Sequence, residues 1–257
     1  MTITCAALQR AGVALLDRFS ADARPSTAAG FLQAMADNEL AVKGPLESAL
    51  LAAVPGSTLL ADDAPLPVSE DTYGWVIDAV EGNINHVHGR EEWAVTACLV
   101  RGREPVLAAV HVPRSGSLFT AVAGEGATDG ERSLHVSGKE ELTASIAATA
   151  QAQPFEAAET LAIAAHSFHR MLTASLLVRA SVPSTIELLD LASGRLDAFW
   201  QYAGVASGLA AGALLVREAG GLVTDEEGRR WRLGSRGFVA STPGIHDELL
   251  RSLGATA

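Results

Sequence analysis

The sequence predicts an α/β protein, and three stretches carry that reading. Trp75–Ile77 is an apolar run that meets Asp78, with Glu81 three residues on and a polar, histidine-bearing turn, Gly82–Gly89, beyond it. That is the form of a buried strand delivering acids at its carboxyl end, where open α/β sheets place their ligands. Trp93–Val100, Val106–Val112, Leu118–Val122 and a segment near Ser133–Val136 are strands joined by turns, an antiparallel meander. Val205–Ala219 is a Gly/Ala-rich helix closed by the glycine stop Gly220-Gly221.

The remaining elements follow in order. Residues 3–20 space Leu8, Val13, Leu15, Leu16 and Phe19 as an amphipathic helix, and 21–30 read as a loop. Phe31–Leu40 holds the acidic cluster Asp37-Asn38-Glu39. Gly44-Pro45 opens a helix, with proline in its first turn, and Pro55-Gly56 closes it. Leu59–Asp63 is a short strand ending in acids, and Gly124–Gly130 is a turn. Ala, Gln and Glu enrichment across 138–153 marks a boundary, giving an N-terminal α+β half, 1–145, and a C-terminal α/β half, 146–257. In the second half, His166–Arg179, Thr185–Ala192 and His246–Leu253 read as helices. Leu196–Trp200, Leu222–Thr224 and Gly237–Ala240 read as strands.

Composition narrows the function. A chain of 257 residues with 48% hydrophobic residues buries a large core. Its net charge of −11 argues against nucleic acid and anionic membrane surfaces, which call for clustered Lys and Arg. No stretch has the roughly 18 apolar residues of a membrane span, and the N-terminus lacks the form of a signal peptide. Cys5 and Cys98 show no metal or redox spacing and read as small apolar residues. A cytoplasmic protein is expected.

The chemistry centres on Asp78 and Glu81. Carboxylates this close repel unless a cation or shared proton lies between them, so the pair is either a hard-metal site suited to Mg²⁺ or an acidic loop after a strand. His86 and His88 share one side of an extended segment. His86 reads either as a general base or extra ligand, or as a hydrogen-bonded loop histidine. His166 and His169, on one helix face with no acid near in sequence, read as surface residues. Glu187 is open between a pocket acid and a solvated charge.

The stretch Trp75-Val-Ile-Asp78-x-x-Glu81-Gly82-x-x-Asn85-x-Val87-His88-Gly89 resembles the Trp-x-Ile-Asp-Pro-x-Asp-Gly-Thr-x-Asn-Phe-x-His signature of the inositol monophosphatase family. Leu209-Ala-Ala-Gly212 and Glu218-Ala-Gly-Gly221 match the tail of its second signature, Trp-Asp-x-Ala-Ala-Gly, and Gly194–Trp200 matches the strand before it. The resemblance spans nearly the whole chain. It implies the layered αβαβα sandwich of the inositol monophosphatase and fructose-1,6-bisphosphatase type, Mg²⁺ as cofactor, a small phosphorylated substrate and a homodimer. Carried over residue by residue, the metal ligands fall on Asp62, Asp78, Glu81 and the carbonyl of Val80, while the family's last acid falls on Gly208. The catalytic set falls on Glu81, on Asn83 in place of the water-orienting Thr, on Asp37 as the upstream acid (Lys43 in an alternative register) and on His86, where the family has Phe. Substrate-side positions fall on Asn85, Ser184, Gln201 and Gly208. Three functions follow: a Mg²⁺ phosphatase with a reduced metal set, the fold reused for another reaction in specialised biosynthesis, or a noncatalytic protein, either a partner in a heteromeric complex or a ligand-binding protein.

Overall fold

The computed structural model describes residues 1–22, 24–61, 69–150, 157–202 and 205–254. The chain begins with α1 (Thr2–Leu16) and α2 (Ala28–Ala53). A seven-stranded sheet then runs β1 (Thr58–Leu60), β2 (Tyr73–Glu81), β3 (Ala94–Arg101), β4 (Glu104–Val112), β5 (Ser117–Val122), β6 (Gly126–Asp129) and β7 (Arg132–Ser133), in that spatial order. The short helix α3 (Asn83–Val87) follows β2 directly. The β1–β2 pair is parallel and the rest of the sheet antiparallel. A second sheet begins at β8 (Ile146–Thr149) and continues with β9 (Leu177–Ala180), β10 (Ala198–Gln201), β11 (Leu222–Thr224) and β12 (Phe238–Ser241), ordered β11-β12-β10-β8-β9. Four helices accompany it: α4 (Ala158–Ala174), α5 (Ser184–Ala192), α6 (Ala206–Glu218) and α7 (His246–Gly254).

Side-chain alternation along the strands builds the layers. In β2, Trp75 packs among α1 and α2 residues such as Leu8, Leu46 and Leu50, and its neighbour Val76 turns to the opposite core with Leu209 and Leu214 of α6. Leu99 and Cys98 of β3 divide the same way. Helices α5 and α6 lie between the two sheets, α6 touching β2–β6 on one side and β11 and β12 on the other. Helices α4 and α7 cover the far face of the second sheet, around Met171, Trp200 and Leu249. The result is the five-layer αβαβα sandwich. Both cysteines are free thiols. Among the described residues, no helix is long and apolar enough to cross a membrane.

Four local expectations need correction. Gly44-Pro45 does not open a helix; α2 runs through it from Thr27, whose hydroxyl caps Gly30 N–H at 3.1 Å. Proline removes one backbone bond there, but Val42, Leu46 and Leu50 are buried on one face, so packing outweighs that loss. The turn expected at Gly124–Gly130 contains β6, a strand set by pairing with β5 rather than by its own propensity. The segment expected as a strand near Ser133–Val136 pairs only over Arg132–Ser133. The helix expected over His166–Arg179 starts earlier, at Ala158, and stops at Ala174, because 177–180 pairs with β8 as an edge strand.

Candidate active site at the carboxyl end of strand β2

Strand β2 extends further than its apolar run, through Asp78 to Glu81, with a shift in its register against β3 between the two acids. Beyond it Glu81 reaches the start of α5, and Asp78 lines a cleft with Ser207 at the start of α6. Gly82 follows at φ +79°, and a side chain there would meet the Glu92 carbonyl at 2.8 Å, so glycine is required both for the turn and for the close approach.

Asp78 is half-buried, and its Oδ1 accepts the Val80 N–H at 2.9 Å. Glu81 is 6% exposed and its Oε1 accepts the Thr185 N–H at the start of α5, 3.3 Å away. The Thr185 hydroxyl in turn donates to the Gly208 carbonyl at 3.0 Å, tying the starts of α5 and α6 together. Burial holds the Glu81 carboxyl well above the ordinary carboxylate range; the charge of Asp78 and a hydrogen bond with it add to this, and Thr185 pulls the other way. Glu81 is thereby biased toward its protonated form beside Asp78. A Cβ built on Gly208 would stand 3.4 Å from Glu81 Oε1 and 3.6 Å from Oε2. The longer acid on β2 reaches into the space that a side chain on α6 would take.

Asp78 opens into a cleft of about 230 Å³ that is also lined by Glu39, Lys43, Ile77 and Ser207. Asp37 lines a different cavity and accepts the Gln33 amide at 2.7 Å. Of the two registers open in the sequence, the structure brings Lys43 to Asp78. Helical phase explains this: Glu39 and Lys43 are four residues apart and share a face of α2, whereas Asp37 lies on the face of Ala34 and Asn38.

Asn83 and His86 belong to one buried network. Asn38 of α2 donates to Asn83 Oδ1 at 2.9 Å and contacts His86 Nδ1 at 3.0 Å; Arg18 Nε donates to Asn38 Oδ1 at 3.0 Å. Asn83 Nδ2 donates to the Met35 carbonyl at 3.0 Å. His86 Nε2 faces the Leu15 carbonyl at 3.0 Å, an acceptor only, so Nε2 carries the proton and Nδ1 accepts from Asn38. Burial lowers the His86 pKa, Arg18 adds to the effect and the Leu15 bond opposes it. Of the two readings open for His86, the structure supports the hydrogen-bonded one: a neutral histidine wedged against Trp93 and Phe19.

The substrate-side positions are also engaged. Asn85 Nδ2 donates to the carbonyls of Glu92 and Val182, at 2.8 and 2.9 Å, and so ties α3 to the segment before α5. Ser184 donates to Gln201 Oε1 at 2.7 Å. Glu187, itself buried, pairs with the exposed Arg179 at 3.2 Å. Asp62, expected as a ligand, lies outside the described residues. Among the described residues, no three His, Cys, Asp or Glu side chains converge as a metal-holding group. Sequence reading missed Asn38, Thr185 and Ser207; the start of α5 after Pro183 was the one signal that could have flagged Thr185.

A model of the inositol monophosphatase family matches residues 1–255. Nus factor SuhB from Pseudomonas aeruginosa is 34% identical over 182 residues, 70% of this chain and 67% of its own. Inositol monophosphatase 2 from Solanum lycopersicum is 32% identical over 180 residues, 70% of this chain and 68% of its own. The solved structure of an inositol monophosphatase from Anabaena superposes with a TM-score of 0.85 at 26% identity, covering 100% of this chain and 95% of the other. With a family match from end to end, two relatives above 30% identity and the same five-layer architecture, the chain belongs to the inositol monophosphatase family.

Proposed function

We propose that this chain acts on a small phosphorylated metabolite in the cleft beside Asp78, as a slow Mg²⁺-assisted phosphatase with a reduced metal set. One observation carries the reduction: the place opposite Glu81 is Gly208, and the Glu81 carboxylate itself fills the gap, held by Thr185 N–H. The donor chemistry fits a single hard cation. Asp78 and the Val80 carbonyl offer oxygen ligands, Asp62 would add one by family position, and water would complete the shell. It offers less to a multi-metal cluster, because Gly208 contributes no carboxylate. Bound there, Mg²⁺ would offset phosphate charge and make a bound water more acidic.

The protein's own groups do the rest. Lys43 brings a positive charge to the cleft wall, and the start of α6 presents backbone N–H groups near Ser207. Asn83 is held by Asn38 and Met35 and carries no hydroxyl. The net charge of −11 supports a small-molecule ligand over a nucleic-acid backbone. By family analogy the protein pairs as a homodimer.

The test is phosphate release from a panel of inositol, sugar and nucleoside monophosphates, with and without Mg²⁺. Slow, Mg²⁺-dependent release that Asp78→Asn abolishes is expected. Metal-independent release, or full activity in Asp78→Asn, defeats the reading. A second reading rests on the Asp78–Glu81 pair: a protonated acid beside a carboxylate is an acid–base couple that needs no metal. Turnover of a non-phosphate substrate, lost in Glu81→Gln and indifferent to chelator, would establish it in place of the first.

A further inference from the structure

Outside the Asp78 cleft, the described residues line a larger, surface-open cavity of about 380 Å³ between the α1–α2 connection, α2 and α3. Its size falls within the roughly 300–1,000 Å³ of small-molecule sites. Arg18, Ser20, Arg24, Asp37, Asn38 and His86 supply its polar lining, and it shares no lining residue with the cleft. Both arginines are anchored through Nε: Arg18 to Asn38 Oδ1 and Arg24 to the His88 carbonyl, each at 3.0 Å. Those bonds leave the terminal guanidinium nitrogens as further donors. Among the described residues, neither arginine has a carboxylate within ion-pairing distance. Asp37, the one acid on the cavity wall, is bonded to Gln33, and His86 accepts from Asn38 as a neutral ring.

The charge pattern is the telling part. In a chain with 30 acids against 19 Lys and Arg, two guanidiniums line one cavity whose single acid, Asp37, ion-pairs with neither among the described residues. Like charges facing one space repel unless an anion lies between them. Guanidinium offers the planar, forked donors that match phosphate and carboxylate oxygens.

We propose that this cavity binds a small oxyanion, a phosphate- or carboxylate-bearing molecule up to about the size of a monosaccharide, clamped by Arg18 and Arg24, with the Ser20 hydroxyl on the same wall. The proposal does not depend on catalysis at Asp78. It is tested by following the arginine Nε–H resonances of the whole protein while titrating inorganic phosphate and, separately, malonate. Saturable shifts of the Arg18 and Arg24 signals are expected with at least one of the two anions. These shifts persist in Lys43→Gln, which alters the other cleft. The anion that saturates at lower concentration identifies the headgroup. Arg18→Gln and Arg24→Gln should each weaken binding about tenfold, the size of a charge-assisted bond. Should Arg18→Gln loosen the fold through Asn38, Arg24→Gln still decides, because Arg24 is anchored only to a loop carbonyl. Absence of saturable shifts with both anions, or their loss in Lys43→Gln, overturns the proposal.

Discussion

Glu81 and Gly208 act as a unit, and that gives the first prediction. Gly208→Asp places a second carboxylate within van der Waals reach of the first, in a buried place already holding Asp78. It should destabilise the protein. Glu81→Asp, which withdraws the first acid by one methylene, should restore part of the loss, with a coupling of about 0.5–3 kcal/mol in a double-mutant cycle by urea denaturation. Additive effects would show that the two positions do not sense each other. Glu81 also gives a pH dependence. Its pKa is raised on folding, so as pH climbs above the unfolded value of about 4.3 the unfolded chain ionises first and stability falls until the folded carboxyl ionises too. Glu81→Gln, measured in metal-free buffer, should therefore gain on the parent protein as pH rises through that window; a constant difference refutes this. Asn38 is the third residue. Asn38→Ala strips bonds from Arg18, Asn83 and His86 at once and should cost about 2–3 kcal/mol, seen as a lower melting temperature. At this scale the sequence showed the location of the site through Trp75–Gly89, because strand, acids and glycine turn are contiguous. It could not show which groups are already engaged: besides the local Asn85–Glu92 bond, Asn83, Asn85 and His86 find partners on segments 45 to 97 residues away.

Close approach between helices fixes the middle layer. Gly212 of α6 lies against Leu188 of α5, and a Cβ there would stand 2.7 Å from the Leu188 Cβ, too close for a rotamer change to relieve. Gly212→Ala should cost about 1–3 kcal/mol as overpacking. Adding Leu188→Ala should recover part of that loss beyond the sum of the single changes, measured as melting temperature; no recovery would place the strain elsewhere. The Gly/Ala composition of α6 was legible as tight packing, though its nearest neighbour at Gly212 is another helix and not the sheet. The long apolar strands β3 and β4 and the helices α5, α6 and α7 were legible because each carries its signal within its own sequence. Elements defined by their neighbours were not. Strand β6 has glycine at its start and only four residues, β9 is an exposed edge, and α2 hides Pro45 in its interior. In each, long-range pairing or packing decides against local preference. The choice between Asp37 and Lys43 belongs here too. Once α2 is one continuous helix, its phase assigns Glu39 and Lys43 to the cleft and Asp37 to the neighbouring cavity.

Among the described residues three histidines are buried, His86 and His111 where the N-terminal half packs on α1 and His246 where α7 meets the second sheet. His86 links α3 to α1, His111 on β4 contacts the Ser117 carbonyl at 3.1 Å, and His246 at the start of α7 contacts Ser241 at 2.7 Å and Thr224 at 3.0 Å. Burial lowers the pKa of all three, with the Leu15 bond opposing it at His86, the Ser117 bond at His111 and the Asp247 charge at His246. A histidine held neutral by the fold binds its proton first in the unfolded chain. Its contribution is thus complete above the unfolded pKa of about 6.5 and drains away as pH falls toward the lowered folded values. Three such groups reinforce one another, so folding stability in urea should be flat above about pH 7 and decline steadily as pH falls from 6.5 toward 5. Glu81 runs against this trend, since acid relieves its unfavourable charge. The decline should accordingly be steeper in Glu81→Gln than in the parent, and shallower in His246→Gln, which keeps a polar side chain beside Ser241 and Thr224 without the titration. A stability curve that rises on acidification through this range in both variants would mean that these histidines are charged within the fold, and that their hydrogen bonds are not the ones that set their protonation.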